Sequence, residues 1–135
     1  SCTGGMLASR LTSISGSSMY IKGSIVTYSN EAKMKFLDVD KEILDTKGAV
    51  SPEVAKQMAE GVRKAVGSDI GVGITGIAGP TGGTDKKPVG LVYIAVAGKD
   101  NTVVKENVFS GDRARVRYRS TQQALEMIRQ YIKNK

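Results

Sequence analysis

Apolar positions recur along this chain in two rhythms, and the rhythm changes wherever glycine, proline or serine clusters intervene. From Pro52 to about Val66, the residues Val54, Met58, Val62 and Val66 fall at helical spacing, with Ala55 and Ala65 beside them. That spacing predicts an amphipathic helix packed on a sheet. Ser51 followed by Pro52 marks its start, because serine caps free N–H groups and proline suits the first helical turn. A second helix is predicted from about Arg113 to Ile132, opened by Ser110-Gly111-Asp112, with Ala124, Leu125, Ile128 and Ile132 as its buried stripe. Shorter helices are predicted after Gly5 (Met6, Leu7, Ala8, Leu11), after Ser29-Asn30 (Met34, Phe36, Leu37) and around Ile43 and Leu44.

The other rhythm predicts strands at Met19–Tyr28, Asp69–Thr75, Val89–Ala97 and Thr102–Phe109. Gly23 reads as a bulge in the first of these, and Lys99-Asp100-Asn101 as a hairpin turn between the last two. Strands interleaved with helices imply an α/β fold, with helices packed over a mixed sheet. Both glycine-rich loops lie where strands hand over to helices or turns, the usual place for a small-molecule site.

Composition narrows the class. A chain of 135 residues suits one domain, and 40% hydrophobic with 24% charged residues is an ordinary globular balance. No apolar run approaches the roughly 20 residues needed to span a bilayer, so no membrane partner is expected. One cysteine excludes an internal disulfide framework and fits a reducing cytoplasm. The net charge of +7 suits phosphate-bearing partners, although it also serves plain solubility. Histidine is absent, which constrains the chemistry more. Proton transfer must then fall to Lys, Tyr, Cys, Asp or Glu, and a zinc site built from His and Cys within one chain is excluded.

Three stretches carry candidate chemistry. Ser1-Cys2-Thr3-Gly4-Gly5 places hydroxyls and a thiol beside glycines at the head of a helix. Bare N–H groups there can hold an anion or an oxyanion; equally, Ser1 or Thr3 can be an N-cap and the glycines a turn. Lys33 sits near a helix start just after Tyr28, where the macrodipole favours a neutral amine. The loop Gly76-Ile77-Ala78-Gly79-Pro80-Thr81-Gly82-Gly83-Thr84 lets a ligand approach the backbone closely. It lacks the Gly-Lys-Ser/Thr ending of a P-loop, and no periodic helix follows it as in a dinucleotide fingerprint. Finally, Arg113, Arg115, Arg117 and Arg119 crowd the head of the last helix. Arg113 and Arg117 share one side of it, Arg115 and Arg119 another, facing either an anion or solvent.

In this order, Ser-Cys-Thr-Gly-Gly (1–5), Gly-Ser-Ser (16–18), Val-Thr-Tyr-Ser-Asn-Glu-Ala-Lys (26–33), Gly-Ala-Val-Ser (48–51), Thr-Gly-Ile-Ala-Gly-Pro-Thr-Gly-Gly-Thr (75–84), Lys-Pro-Val-Gly (87–90) and Phe-Ser-Gly-Asp-Arg (109–113) resemble the C-terminal domain of the competence/damage-inducible CinA proteins. That domain is also found alone as nicotinamide mononucleotide deamidase. The resemblance implies one three-layer α-β-α domain over residues 1–135, lacking a helix, a strand and a glutamate that the family carries ahead of the serine. It implies hydrolysis of the carboxamide of nicotinamide mononucleotide to nicotinate mononucleotide and ammonia, with no cofactor or metal. Ser1 would be the nucleophile, activated by Tyr28 and Lys33. N–H groups around Thr3, Gly4 and Gly5 would steady the oxyanion. Thr75 and Gly76 would line the substrate pocket, and Arg113 would meet the phosphate or the carboxamide. A cytoplasmic homo-oligomer acting on a small phosphorylated nucleotide is expected.

Competing readings remain at this level. Cys2 is a rival nucleophile, and a free amine on Ser1 could act as its own base. A competence-related nucleic-acid or nucleotide binding module without amidase activity, or an inactive scaffold, is the alternative class. Seven dispersed aromatic residues and no recognised nucleic-acid motif speak against nucleic acid as a partner.

Overall fold

The helix α4 (Pro52–Val66) organises the molecule, and its ends are set by local chemistry. In the computed structural model, which describes residues 1–135, the Ser51 side chain accepts from the Val54 N–H at 3.3 Å, Pro52 follows, and Gly67 closes the helix at φ 66°. Glu53 in the first turn and Arg63 and Lys64 in the last complement the macrodipole. One flank of α4, Val54 and Met58, packs on Leu37, Val39 and Leu44 from the shorter helices α2 (Asn30–Leu37) and α3 (Lys41–Lys47) and the link between them. The other flank, Ala55 and Ala59, lies on Ala95 and Ala97 of the sheet. Val62 and Val66 are half-buried and Ala65 is exposed, so the predicted stripe fades toward the C-terminal end.

The sheet has three strands, β1 (Gly71–Gly76), β2 (Leu91–Ala97) and β3 (Thr102–Val108), in that spatial order. β1 pairs antiparallel with β2 from Gly71↔Ala97 to Gly76↔Val92, and β2 with β3 from Leu91↔Val108 to Ala97↔Thr102. The β2–β3 hairpin and its turn fall where expected, with Gly98 N–H on the Asn101 carbonyl at 2.9 Å. α4 covers one face. The long helix α5 (Arg113–Lys133) covers the other, where Val116, Ala124 and Met127 pack on Val92, Ile94 and Val96. The α/β class and the three layers therefore stand.

The mixed sheet does not, because both pairings are antiparallel, and the strand expected at Met19–Tyr28 joins no ladder. Only Ser17–Met19 at its start is regular, as a single 3-10 turn. The reason is in the pattern: Met19 and Ile21 keep one phase of alternation, then Val26 and Tyr28 switch to the other. Val26 and Tyr28 end up half or more exposed, while Thr27 between them is fully buried. The stripe of α5 also differs from expectation. It runs Val116, Ser120, Ala124, Met127, with Ile128 half-buried and Ile132 exposed. Ser120 and Thr121 are buried because each hydroxyl donates back to the helix, to Val116 O and Tyr118 O, both at 2.7 Å. No helix of the chain is long and apolar enough to cross a membrane.

Candidate active site

The start of the chain is held against β1. The Ser1 nitrogen donates to the Ile74 carbonyl, and Gly4 N–H donates to the Ser1 carbonyl at 3.0 Å. A tight turn results, leading into α1 (Met6–Thr12) through Gly5 at φ 90°. Arg117, from α5, steadies this turn by donating to the Thr3 carbonyl at 3.0 Å.

α2 supplies the lysine. Ser29 caps that helix by accepting from Ala32 N–H at 3.1 Å, which places Lys33 one turn in and facing the interior. Lys33 is only 2% exposed, and its Nζ donates to the Thr27 carbonyl at 2.9 Å. Burial holds its pKa below the usual lysine range, partly offset by the nearby Cys2. The balance is thus shifted toward the neutral amine, with desolvation as the leading cause in place of the helix dipole invoked from sequence.

Thr27, whose carbonyl receives that lysine, is fully buried, and its Oγ1 has no hydrogen-bond partner. Thr27→Val keeps the side-chain shape and the carbonyl while removing the orphan hydroxyl. It is expected to stabilise the protein by about 1 kcal/mol, a rise in Tm of about 4 °C. A lower Tm in thermal denaturation would mean that the hydroxyl has a partner in solution.

A cavity of about 290 Å³ brings Ser1, Tyr28, Lys33, Thr75, Gly76 and Arg113 together, along with Cys2, Asn30, Ala49, Val50 and the first part of the glycine loop. Thr75 Oγ1 donates to the Ala49 carbonyl at 2.7 Å, fixing the segment before α4 as one wall. Arg113 bridges two others: Nη1 donates to the Gly79 carbonyl at 2.8 Å and Nη2 to Tyr28 Oη at 3.3 Å. Tyr28 is 66% exposed, so its phenol sits at the mouth.

Thr3, Gly4 and Gly5 do not line this cavity, and the Gly4 N–H is already spent on the Ser1 carbonyl. Thr3 and Gly5 instead border a larger groove, about 600 Å³, walled by aliphatic side chains such as Leu7, Val62, Ile70 and Val72. Of the residues that follow Ser1 in this turn, Cys2 lines the cavity. The Cys2 thiol is buried, and burial pushes its pKa up despite the charges of Arg117 and Arg113. A buried thiol held protonated is a poor nucleophile.

Sequence reasoning missed two participants. One is the Thr27 carbonyl, a backbone atom that side-chain patterns cannot reveal. The other is the Arg117 tie, although the equal spacing of Arg113 and Arg117 signalled that both face the same way. Arg119 turns elsewhere, to the Ser110 carbonyl and hydroxyl at 3.1 and 2.9 Å.

Comparison with known proteins gives a consistent picture. Residues 1–132 match the model of the CinA C-terminal domain. A CinA-like protein of Koribacter versatilis is 57% identical over 132 residues, 98% of this chain and 32% of that protein. One from Syntrophomonas wolfei is 53% identical over 134 residues, 99% of this chain and 32% of that protein. The chain thus spans about a third of the length of the curated relatives it matches. Among solved structures, the competence/damage inducible protein CihA of Agrobacterium tumefaciens is similar at a TM-score of 0.93 and 43% identity, covering 95% of this chain and 79% of that one. A CinA superfamily protein of Escherichia coli reaches a TM-score of 0.93 at 36% identity, covering 97% and 76%.

Proposed function

The chain belongs to the CinA C-terminal domain family, and from that premise we propose that it hydrolyses the carboxamide of nicotinamide mononucleotide to nicotinate mononucleotide and ammonia. The observation that carries this reading is Lys33: a buried lysine, its pKa lowered by burial, lining the same cavity as a serine in a protein without histidine.

Ser1 Oγ attacks the carboxamide carbon while Lys33, as the neutral amine, takes its proton directly or through Tyr28. The C–O bond forms and the carbonyl electron pair moves to oxygen, where a backbone N–H close to Ser1 would donate. Collapse breaks the C–N bond, and Lys33 returns its proton to the departing ammonia. A water then attacks the acyl-serine with Lys33 again as base, releasing nicotinate mononucleotide and restoring Ser1. A cavity of about 290 Å³ lies near the lower end of the range for small-molecule sites and suits a mononucleotide.

Incubation with nicotinamide mononucleotide should release one ammonia per nicotinate mononucleotide formed. Failure to release ammonia across the neutral to alkaline range would sink the amidase reading.

A further inference from the structure

The turn that carries Ser1 is tied to α5 through a short relay of backbone groups. Arg117 Nη2 donates to the Thr3 carbonyl at 3.0 Å, and the same carbonyl accepts from Met6 N–H at 3.2 Å. The Thr3 carbonyl and the Gly4 N–H are the two ends of one peptide unit. That Gly4 N–H donates to the Ser1 carbonyl at 3.0 Å. A guanidinium on the carbonyl end of a peptide polarises it, so the N–H end donates more strongly. Arg117 therefore acts on the backbone of Ser1 itself, one peptide removed. The side chain between Ser1 and Thr3 is held as well: Cys2 packs in the core cluster that contains Val116, the residue before Arg117.

Arg117 is half-buried, yet it forms no ion pair, and the Thr3 carbonyl is its only hydrogen-bond partner in the protein. A partly desolvated charge without a counter-ion is costly. Arg117 does not line the cavity of Ser1 and Lys33, so it acts on the turn and not on a bound substrate. Arg113 lies one helical turn earlier and faces the same way. Its guanidinium holds the Gly79 carbonyl and Tyr28 Oη. The head of α5 thus grips the Ser1 turn, Tyr28 and the glycine loop together. The helix is itself fixed to the sheet by Val116, which is fully buried.

We infer that Arg117 is a positioning residue for the nucleophile: through the Thr3–Gly4 peptide it holds the Ser1 backbone, and with it the serine hydroxyl, in register with Tyr28 and Lys33. This rests on reading Ser1 as the nucleophile of an amidase. The contribution of Arg117 falls on the chemical step, where misplacing a reacting group by about 1 Å costs on the order of a hundredfold in rate.

The test has a kinetic arm and a spectroscopic one. Arg117→Ala should lower kcat for ammonia release from nicotinamide mononucleotide by about a hundredfold and leave KM within about twofold. Methylguanidinium, at concentrations that leave Tm unchanged, should restore part of that kcat and do nothing for Lys33→Ala. Arg119→Ala removes the same charge from the same helix and should keep its kcat, since Arg119 is bound to Ser110. Where Arg117→Ala does not fold, Arg117→Lys decides: its shorter chain should lower kcat about tenfold with KM held. In amide NMR, the Gly4 N–H of either Arg117 variant should exchange with solvent about tenfold faster than in the wild type. Wild-type kcat in a folded Arg117 variant, a rise in KM alone, an equal loss in Arg119→Ala, or a loss in Arg117→Ala that methylguanidinium does not restore would overturn the inference. If the wild type releases no ammonia but Gly4 exchange quickens, the amidase reading falls and the tie from Arg117 to the Ser1 turn stands. Unchanged Gly4 exchange removes that tie whatever the activity.

Discussion

Ser1→Ala and Lys33→Ala are each expected to lower kcat for carboxamide hydrolysis by about 10³–10⁴-fold, measured as ammonia release from nicotinamide mononucleotide. The two side chains act as one unit, since the serine is weak without a base and the base has no proton to take without the serine. The double variant should therefore be no slower than the worse single one. Lys33→Arg should fail as well, because a guanidinium keeps its proton at any accessible pH. The pH dependence follows from burial. The amine is active when deprotonated, and burial lowers its pKa, so activity should rise with pH and level off below the range of an ordinary lysine. Cys2→Ala should retain most activity, since its thiol is buried and its pKa raised. Full activity in Ser1→Ala with loss in Cys2→Ala would exchange the two assignments.

Gly73→Ala is expected to destabilise the protein by about 3 kcal/mol or more, lowering Tm by on the order of 10 °C. A Cβ at Gly73 would fall on the Ala55 carbonyl oxygen of α4, with Ala59 N at 2.7 Å and Met58 Cβ at 3.0 Å. Gly71 is similar, its added Cβ meeting the Ala59 carbonyl and Arg63 Cβ at 2.7 Å. These atoms are mostly backbone, so the clash can be relieved only by lifting the helix off the sheet. Lifting α4 would open its alanine contact with Ala95 and Ala97. It would also shift the segment before it, where the Ala49 carbonyl receives Thr75. Gly16→Ala is the control: φ is 88° but nothing lies within 4 Å of the new Cβ. It should cost only the conformational strain, about 1 kcal/mol. Equal denaturation midpoints for the two variants would show that close helix–sheet contact is not what Gly73 provides.

Much of the fold was legible along the chain. α4, the β2–β3 hairpin and the head of α5 carry their signals locally, in Ser51-Pro52, Lys99-Asp100-Asn101 and Asp112, and they lie where the pattern put them. The segment from Met19 to Tyr28 was misread as a strand because β-rich composition says nothing about whether a partner edge is available. The stripe of α5 was misplaced because hydroxyl residues that satisfy themselves within the helix look polar in sequence yet bury well. For the site, residue types and the resemblance singled out Ser1, Tyr28, Lys33, Thr75, Gly76 and Arg113, which share one cavity. They also singled out Thr3, Gly4 and Gly5, which lie outside it.

Absence of histidine, a net charge of +7, the helix caps and the order of glycine loops are properties of the chain as written, and no folding was needed to read them. Three matters belonged to the tertiary structure. Lys33 is buried against the Thr27 carbonyl in the cavity that also holds Ser1, Cys2 and Thr75, and desolvation depends on what surrounds a group, not on its neighbours in sequence. Gly4 is consumed by a turn while the amides of Ala78 and Gly79 are left free, because backbone hydrogen bonds are allotted only when the path of the whole chain is set. Arg113, 85 residues from Tyr28, meets it because helix and loop converge at one end of the sheet. Burial, free donors and long-range contacts are all properties of neighbours in space, so the chemistry of the cavity was decided only when the chain closed around it.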